Sequence, residues 1–202
     1  HYLWKSNMQS YQLKYDMEHN ASRNLRIKGG GALHFFTTIP GSIDNYGVFT
    51  HVVPYRLNRR KMLDFALYGE VEYRFASRFQ LNGGIRLSAL RTPSGPDYGA
   101  STFIVPEPRA ELSYEVNRNH RLNISFNQAS QNLHMLSNSS VGIPSDMWVP
   151  ANEKLKPEIM RQFTAGYEWN QSDRNYTFSL EAFYRKTDHI IDFKDDVNLF
   201  MN

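Results

Sequence analysis

Residues 78–90 read RFQLNGGIRLSAL, and their side chains sort by parity. Phe79, Leu81, Ile85 and Leu87 share one side; Gln80, Asn82, Arg86 and Ser88 share the other. Successive side chains of a strand point to opposite faces, so this stretch is predicted as a strand with one apolar and one polar face. The neighbouring stretches repeat the pattern. Upstream, Leu63, Phe65, Leu67, Val71, Tyr73 and Phe75 oppose Asp64, Glu70, Glu72 and Arg74. Downstream, Ala110, Leu112, Tyr114 and Val116 oppose Arg109, Glu111, Ser113 and Glu115, and Leu122, Ile124 and Phe126 oppose Arg121, Asn123, Ser125 and Asn127. Phe163, Ala165, Tyr167 and Trp169 oppose Gln162, Thr164, Gly166 and Glu168. The last segment sets Tyr176, Phe178, Leu180, Ala182 and Tyr184 against Thr177, Ser179, Glu181 and Arg185, with Phe183 the one apolar residue on the polar side. The first two segments carry the pattern more weakly, in Tyr11, Leu13, Tyr15 and Met17 and in Leu25, Ile27, Leu33 and Phe35.

The eight segments run about 8 to 14 residues, near or above the roughly 9–11 with which a tilted strand crosses a bilayer. Soluble strands are usually about 5–6 residues. The connections alternate: short at 18–23, 76–78, 117–119 and 170–174, long at 38–61, 92–105 and 132–157. Tight turns at one rim and long loops at the other are the pattern of a transmembrane β-barrel. In that frame 1–17 runs inward, 175–190 runs outward, and both chain ends lie at the outer rim. Tyr68, Tyr73, Tyr114, Tyr167, Trp169, Tyr176 and Tyr184 collect near segment ends. Aromatic girdles of a barrel and plain strand propensity account for them equally well.

Composition is consistent with this. Across 202 residues, 21% charged and 41% apolar side chains exclude a disordered chain, and 14% aromatics favour strands. No window approaches the roughly 18 apolar residues of a membrane helix, and mean hydropathy is −0.57; barrel strands average to such a polar score. The net charge is +3, with Lys and Arg mostly interleaved with Asp and Glu, which argues against a nucleic-acid partner. The absence of cysteine excludes disulfides and thiolate metal sites. No basic-then-apolar export signal opens the chain at His1, so either the signal has been removed or the chain is a fragment of a longer exported protein, and the fragment is the expectation favoured here.

The local motifs are structural. Gly29-Gly30-Gly31 lacks the Gly-Lys-Ser/Thr continuation of a phosphate loop, and like Gly83-Gly84 it is predicted to mark a bend or a close backbone approach. The histidines, His51 and His134 of the long loops among them, have no partner at a metal-ligand spacing. Asp192, Asp195 and Asp196 lack the glycine and terminal glutamate of a calcium loop. Arg56, Arg59, Arg60 and Lys61 form the one basic cluster, read either as a solvated loop or as a contact for lipopolysaccharide phosphates or another anion. There is no nucleophile elbow and no metalloprotease helix motif, so catalytic, metal and cofactor sites are all expected to be absent.

Three stretches carry a family likeness: PRAELSYEVNRNHRLNISFNQASQNLHML (108–136), PSDMWVPANEKLKPEIMRQFTAGYEW (144–169) and YTFSLEAFYRKTDHIIDF (176–193). A Gln-containing strand end leads into a long loop that closes on Leu155-Lys156-Pro157-Glu158, followed by Gly166-Tyr167-Glu168 and by Glu-Ala-Phe-Tyr-Arg-Lys at 181–186. In this the chain resembles the β-barrel of TonB-dependent outer-membrane receptors, especially the Bacteroidetes type; over 1–105 the likeness is looser, resting on strand pattern and on Gly-Gly-x-Arg at 83–86.

The resemblance implies an all-β, antiparallel transmembrane barrel, of which 1–202 would supply about eight of 22 strands, without the plug domain or the C-terminal strands. It implies a receptor of the bacterial outer membrane that imports a scarce nutrient: a siderophore, glycan, cobalamin or peptide. The implied partners are outer-membrane lipid, the TonB complex acting through the plug, and a surface lipoprotein. Arg86, Glu111, Glu115, Gln162 and Glu181 would line the lumen, and the loop 132–157 would meet ligand through His134, Asp146 and Trp148. Two other readings fit the residues: a complete eight-stranded barrel with a structural or adhesive role, and a soluble β-sandwich binding module. The sandwich would have to bury Phe79-Leu81-Ile85-Leu87 and Tyr176-Phe178-Leu180 against a second sheet.

Overall fold

The computed structural model describes residues 2–45, 55–96, 98–138, 145–171 and 176–192. In chain order the strands are β1 (Tyr2–Ser22), β2 (Leu25–Asn45), β3 (Tyr55–Arg56), β4 (Arg60–Phe75), β5 (Phe79–Thr92), β6 (Ser101–Asn117), β7 (His120–Gln131), β8 (Leu133–Asn138), β9 (Ser145–Pro150), β10 (Glu158–Gln171) and β11 (Tyr176–Asp188). No helix occurs among the described residues. The long strands form one antiparallel meander in the order β1-β2-β4-β5-β6-β7-β10-β11, with β3 added to β2, while β8 and β9 pair only with each other. The long sheet is open, since β1 and β11 end the order.

The register joins the apolar rows of separate strands into one continuous face. Leu33 lies opposite Phe65, Leu67 opposite Leu87, Leu81 opposite Leu112, Leu112 opposite Ile124, and Tyr167 opposite Leu180. This face is uncovered: Leu13 is 72% exposed, Ile104 72%, Leu180 62% and Ile124 59%. No second sheet packs on it among the described residues, which overturns the soluble-sandwich reading. Along β4 the apolar row from Leu63 to Tyr73 is ten residue steps, roughly 25 Å of height at barrel-like tilt, about the apolar band of an outer-membrane barrel.

The strands are longer than their hydrophobic periodicity suggests. β1 continues to Ser22, leaving Arg23 and Asn24 as the first turn, and β2 runs to Asn45, so 38–45 is strand rather than loop. The loop predicted at 132–157 contains the β8–β9 hairpin. The short turns are local: the three-residue connection 76–78 joins the paired Phe75 and Phe79 and reverses the chain through two left-handed residues, Ala76 (φ 48°) and Ser77 (φ 54°). Asn117 Oδ1 accepts from the amides of Asn119 and His120 at 2.9 and 3.1 Å.

Gly30 allows a cross-strand reach. Tyr68 on β4 extends over it, on the polar face, and donates to Asp16 and to the Tyr15 carbonyl of β1. A Cβ at Gly30 would stand 2.6 Å from Tyr68 Oη and overlap the Tyr15 carbonyl oxygen. Tyr68 therefore belongs to the polar wall and not to an aromatic girdle. Gly30→Val is expected to cost about 3 kcal/mol through overpacking, read as an earlier urea midpoint of the detergent-solubilised protein, with Gly69→Ala, where a Cβ meets nothing within 4 Å, as the silent control.

What core exists lies on the polar side, at the long-loop end. Met62, Leu90 and Ala151 pack with Phe36, Phe103 and Leu133. Thr38, Ser42, Ser88 and Thr92 are buried there, as are Met147 and Val149 of β9.

Candidate functional site

The polar face is a charge ladder. Lys28 pairs with Glu72, Arg26 with Glu72 and Glu18 at 3.3 Å each, Arg109 with Glu70 at 2.5 Å, and Arg121 with Glu115 at 3.1 Å. Alternating signs on neighbouring strands let each side chain find a partner without leaving the wall. Arg86 lies 3.6 Å from Glu107 and donates to Ser88 at 3.1 Å. Glu111 accepts from Ser113 at 3.1 Å, and Gln162 accepts from Arg185 at 2.8 Å. Glu181 lies opposite Gly166 on the same face. A shallow hollow of about 380 Å³ at mid-wall is lined by Glu70, Asn82, Arg109, Glu111, Ser125 and Asn127.

The β8–β9 hairpin folds over the upper part of this wall. It leaves between β7 and β10, crosses the polar face, and seats β9 on β2, with edges on β1 and β4. Thr92 donates to the Ala151 carbonyl at 2.7 Å, Thr38 to the Trp148 carbonyl at 3.4 Å, and the Ala151 amide to the Asn132 carbonyl at 2.9 Å. Beyond the hairpin, Asn152 closes a turn through Lys154 and Leu155, and Glu153 Oε1 accepts from the Gly99 amide at 2.8 Å, tying two long connections together.

His134 is 1% exposed on β8, its Nδ1 3.3 Å from Glu158 Oε1. Neither ring nitrogen makes an aligned hydrogen bond. Among the described residues the other buried side-chain atoms without partners belong to Arg60, Asp64, Ser101 and Asn132, all at the long-loop end. Trp148, on β9 opposite Met135, is half-buried; Asp146 pairs with Ser137 in the backbone, and its side chain lies outside the described residues. His51, Asp195 and Asp196 lie outside them as well. The structure thus brings Arg86, Glu111, Glu115, Gln162 and Glu181 onto one face and buries His134 in the hairpin seat rather than at its surface. Sequence reading missed the buried hydroxyls of Thr38 and Thr92; nothing local distinguishes them from solvated strand residues.

Burial pushes the His134 pKa below the ordinary 6.5, against the smaller opposing pull of Glu158 and the Lys156 backbone. A released hairpin therefore binds more protons than a seated one. Stability of the seat is complete above the ordinary value and declines as pH falls below it, down to the depressed value of the seated state. Faster amide exchange in 133–138 and 145–150 at pH 5.5 than at pH 7.5, after correction for intrinsic rates, is the expected result; His134→Gln should flatten the difference.

No group of three or more metal-ligating side chains gathers among the described residues. The family model "TonB dependent receptor-like, beta-barrel" matches residues 2–202. The chain belongs to the TonB-dependent receptor β-barrel family.

Solved structures of low identity share the fold of this receptor barrel. The FrpB iron transporter from Neisseria meningitidis (F3-3 variant) superimposes with a TM-score of 0.65 at 12% identity, over 90% of this chain and 28% of its own. The ferric yersiniabactin uptake receptor FyuA from Yersinia pestis gives 0.58 at 15%, over 92% and 29%. The ferric-catecholate import receptor Fiu from E. coli K12 gives 0.56 at 15%, over 96% and 32%. The chain spans about three-tenths of the length of these structures. No curated protein matches the sequence.

Proposed function

We propose that this chain is a section of barrel wall from an outer-membrane receptor that captures a scarce nutrient at its long-loop rim and imports it with TonB. The observation that carries the reading is the inward-folded hairpin: a long connection from the outer rim lies across the polar wall, where an imported ligand would pass. The apolar face meets lipid, and Arg86, Glu111, Glu115, Gln162 and Glu181 face the lumen. TonB would act through a plug domain supplied by the rest of the protein. The structural relatives described as iron, ferric yersiniabactin, copper and siderophore transporters or receptors favour a metal chelate as cargo over a glycan, cobalamin or peptide. The receptor transports and does no chemistry on its cargo. Trp148 and Asp146 are the ligand contacts on the hairpin, and His134 supports them from beneath.

The test uses the full-length receptor in its own cells. It is expected in the detergent-resistant outer-membrane fraction, with uptake of iron-55 from a panel of ferric siderophores that stops when TonB is deleted. Recovery in the soluble periplasmic fraction, or uptake unaffected by loss of TonB, would overturn the reading.

A further inference from the structure

We infer that Lys61 and Arg91 form a binding site for a phosphate group of an outer-leaflet lipid. From β4 to β11, the charged residues in phase with the apolar rows are Lys61, Arg91, Arg161, Lys186 and Asp188, and all stand at the long-loop ends of their strands. At the short-turn ends the same face carries stacked rings instead: Tyr73, Phe75, Phe79 and Tyr114, with centroids 5.8, 5.3 and 4.5 Å apart along the series. The two edges of the apolar band therefore differ in kind, one aromatic and one cationic.

Asp188 neutralises part of that cationic edge, 2.6 Å from Arg161 and 3.3 Å from Lys186. Lys61 and Arg91 have no carboxylate partner among the described residues, and both are exposed. Arg91 lies directly opposite Leu63, two residues from Lys61, so the two cations are diagonal neighbours within reach of each other. Uncompensated like charges so placed repel, and an anion bound between them removes the repulsion. Arg91 offers a planar fork and Lys61 a point charge, the usual pair of phosphate donors, and exposed Thr102 lies opposite Arg91 to add a hydroxyl.

Depth selects the source of the phosphate. Lys61 is one step of its row beyond Leu63, where the apolar band ends, which is headgroup level. Arg60, the preceding residue, turns to the polar side and stacks over Tyr98 at 4.8 Å, so the sequence cluster is divided between the two faces. A phosphate attached to acyl chains is held at this depth and meets Lys61 and Arg91 from the apolar side, which favours a lipid headgroup over a free anion.

The inference rests on the membrane orientation proposed above. The experiment places the full-length receptor in phosphatidylcholine nanodiscs doped with bisphosphorylated lipid A, or with the same lipid stripped of phosphate, and reads co-retained lipid by native mass spectrometry. The wild type is expected to enrich the phosphorylated form, and K61Q/R91Q to lower that enrichment about tenfold. The charge-conserving K61R/R91K should retain it, as should R23Q/R78Q at the opposite rim. Equal retention of both lipids, an unchanged K61Q/R91Q, an equal loss in R23Q/R78Q, or full displacement by millimolar inorganic phosphate would each overturn the site. Failure to insert into nanodiscs at all would instead sink the membrane orientation.

Discussion

Leu67→Arg is expected to abolish stable assembly of the receptor in the outer membrane. Leu67 is 53% exposed in the isolated wall, so a soluble protein would accept arginine there at little cost. Its register neighbours are Gly31 on one side and Leu87 on the other, and it sits near the middle of the apolar row between Leu63 and Tyr73. At the midplane of a bilayer an arginine on the lipid face of a barrel costs about 2–4 kcal/mol. Glu181→Lys, a full charge reversal on the exposed polar face of β11, should change stability by less than about 0.5 kcal/mol. Heat-modifiable electrophoresis of outer-membrane fractions separates the two: the folded band should vanish for Leu67→Arg and persist for Glu181→Lys. A folded Leu67→Arg receptor at wild-type abundance would mean that the apolar face does not meet lipid.

Leu90→Ala is expected to release the hairpin while leaving the wall intact. Leu90 is 1% exposed and packs with Met62 and Ala151 beneath the hairpin, with Phe36, Phe103 and Leu133 around them. Truncating a buried leucine costs about 3 kcal/mol when the cavity does not collapse, and here one side of the cavity is a stiff sheet. The seat is further handicapped by the unpartnered polar atoms of Asn132 and His134, so it has little reserve. Amide protection in 133–138 and 145–150 should fall by up to about 100-fold, the equivalent of that free energy. Protection along the lower parts of β4 and β5 should hold. Leu87→Ala, on the opposite face and 47% exposed, is the control expected to leave the hairpin protected.

The difference between these two leucines explains how much of the molecule could be read from its sequence. Parity sets Leu87 and Leu90 on opposite faces, and the register agrees strand by strand. Parity could not tell which leucine would be covered, because the cover is a hairpin more than 40 residues further along the chain. The same limit set the strand ends. Thr38, Pro40 and Ser42 look like a loop entering a turn, yet they are buried strand residues because β9 lies on them. The hairpin itself is six residues a side, and Leu133-His134-Met135-Leu136 carries no alternation that separates strand from loop. The place of His134 in that loop points to ligand contact; its burial is a tertiary fact that no spacing encodes. Gly30 was legible as a close approach, while its partner Tyr68 was not.

The absence of cysteine from the chain makes the decisive measurement clean. Single cysteines placed through β5 in the membrane-embedded receptor, with any cysteines outside this chain replaced, carry a fluorophore tested against a lipid-borne quencher and a water-soluble one. Labels at 81, 85 and 87 should be quenched from the lipid and those at 80, 82 and 86 from water, while a cysteine at 88, buried beneath the hairpin, should resist labelling until Leu90→Ala releases it. Loss of that alternation, or its inversion, would contradict a wall with lipid on its apolar face and a hairpin-covered lumen on its polar one.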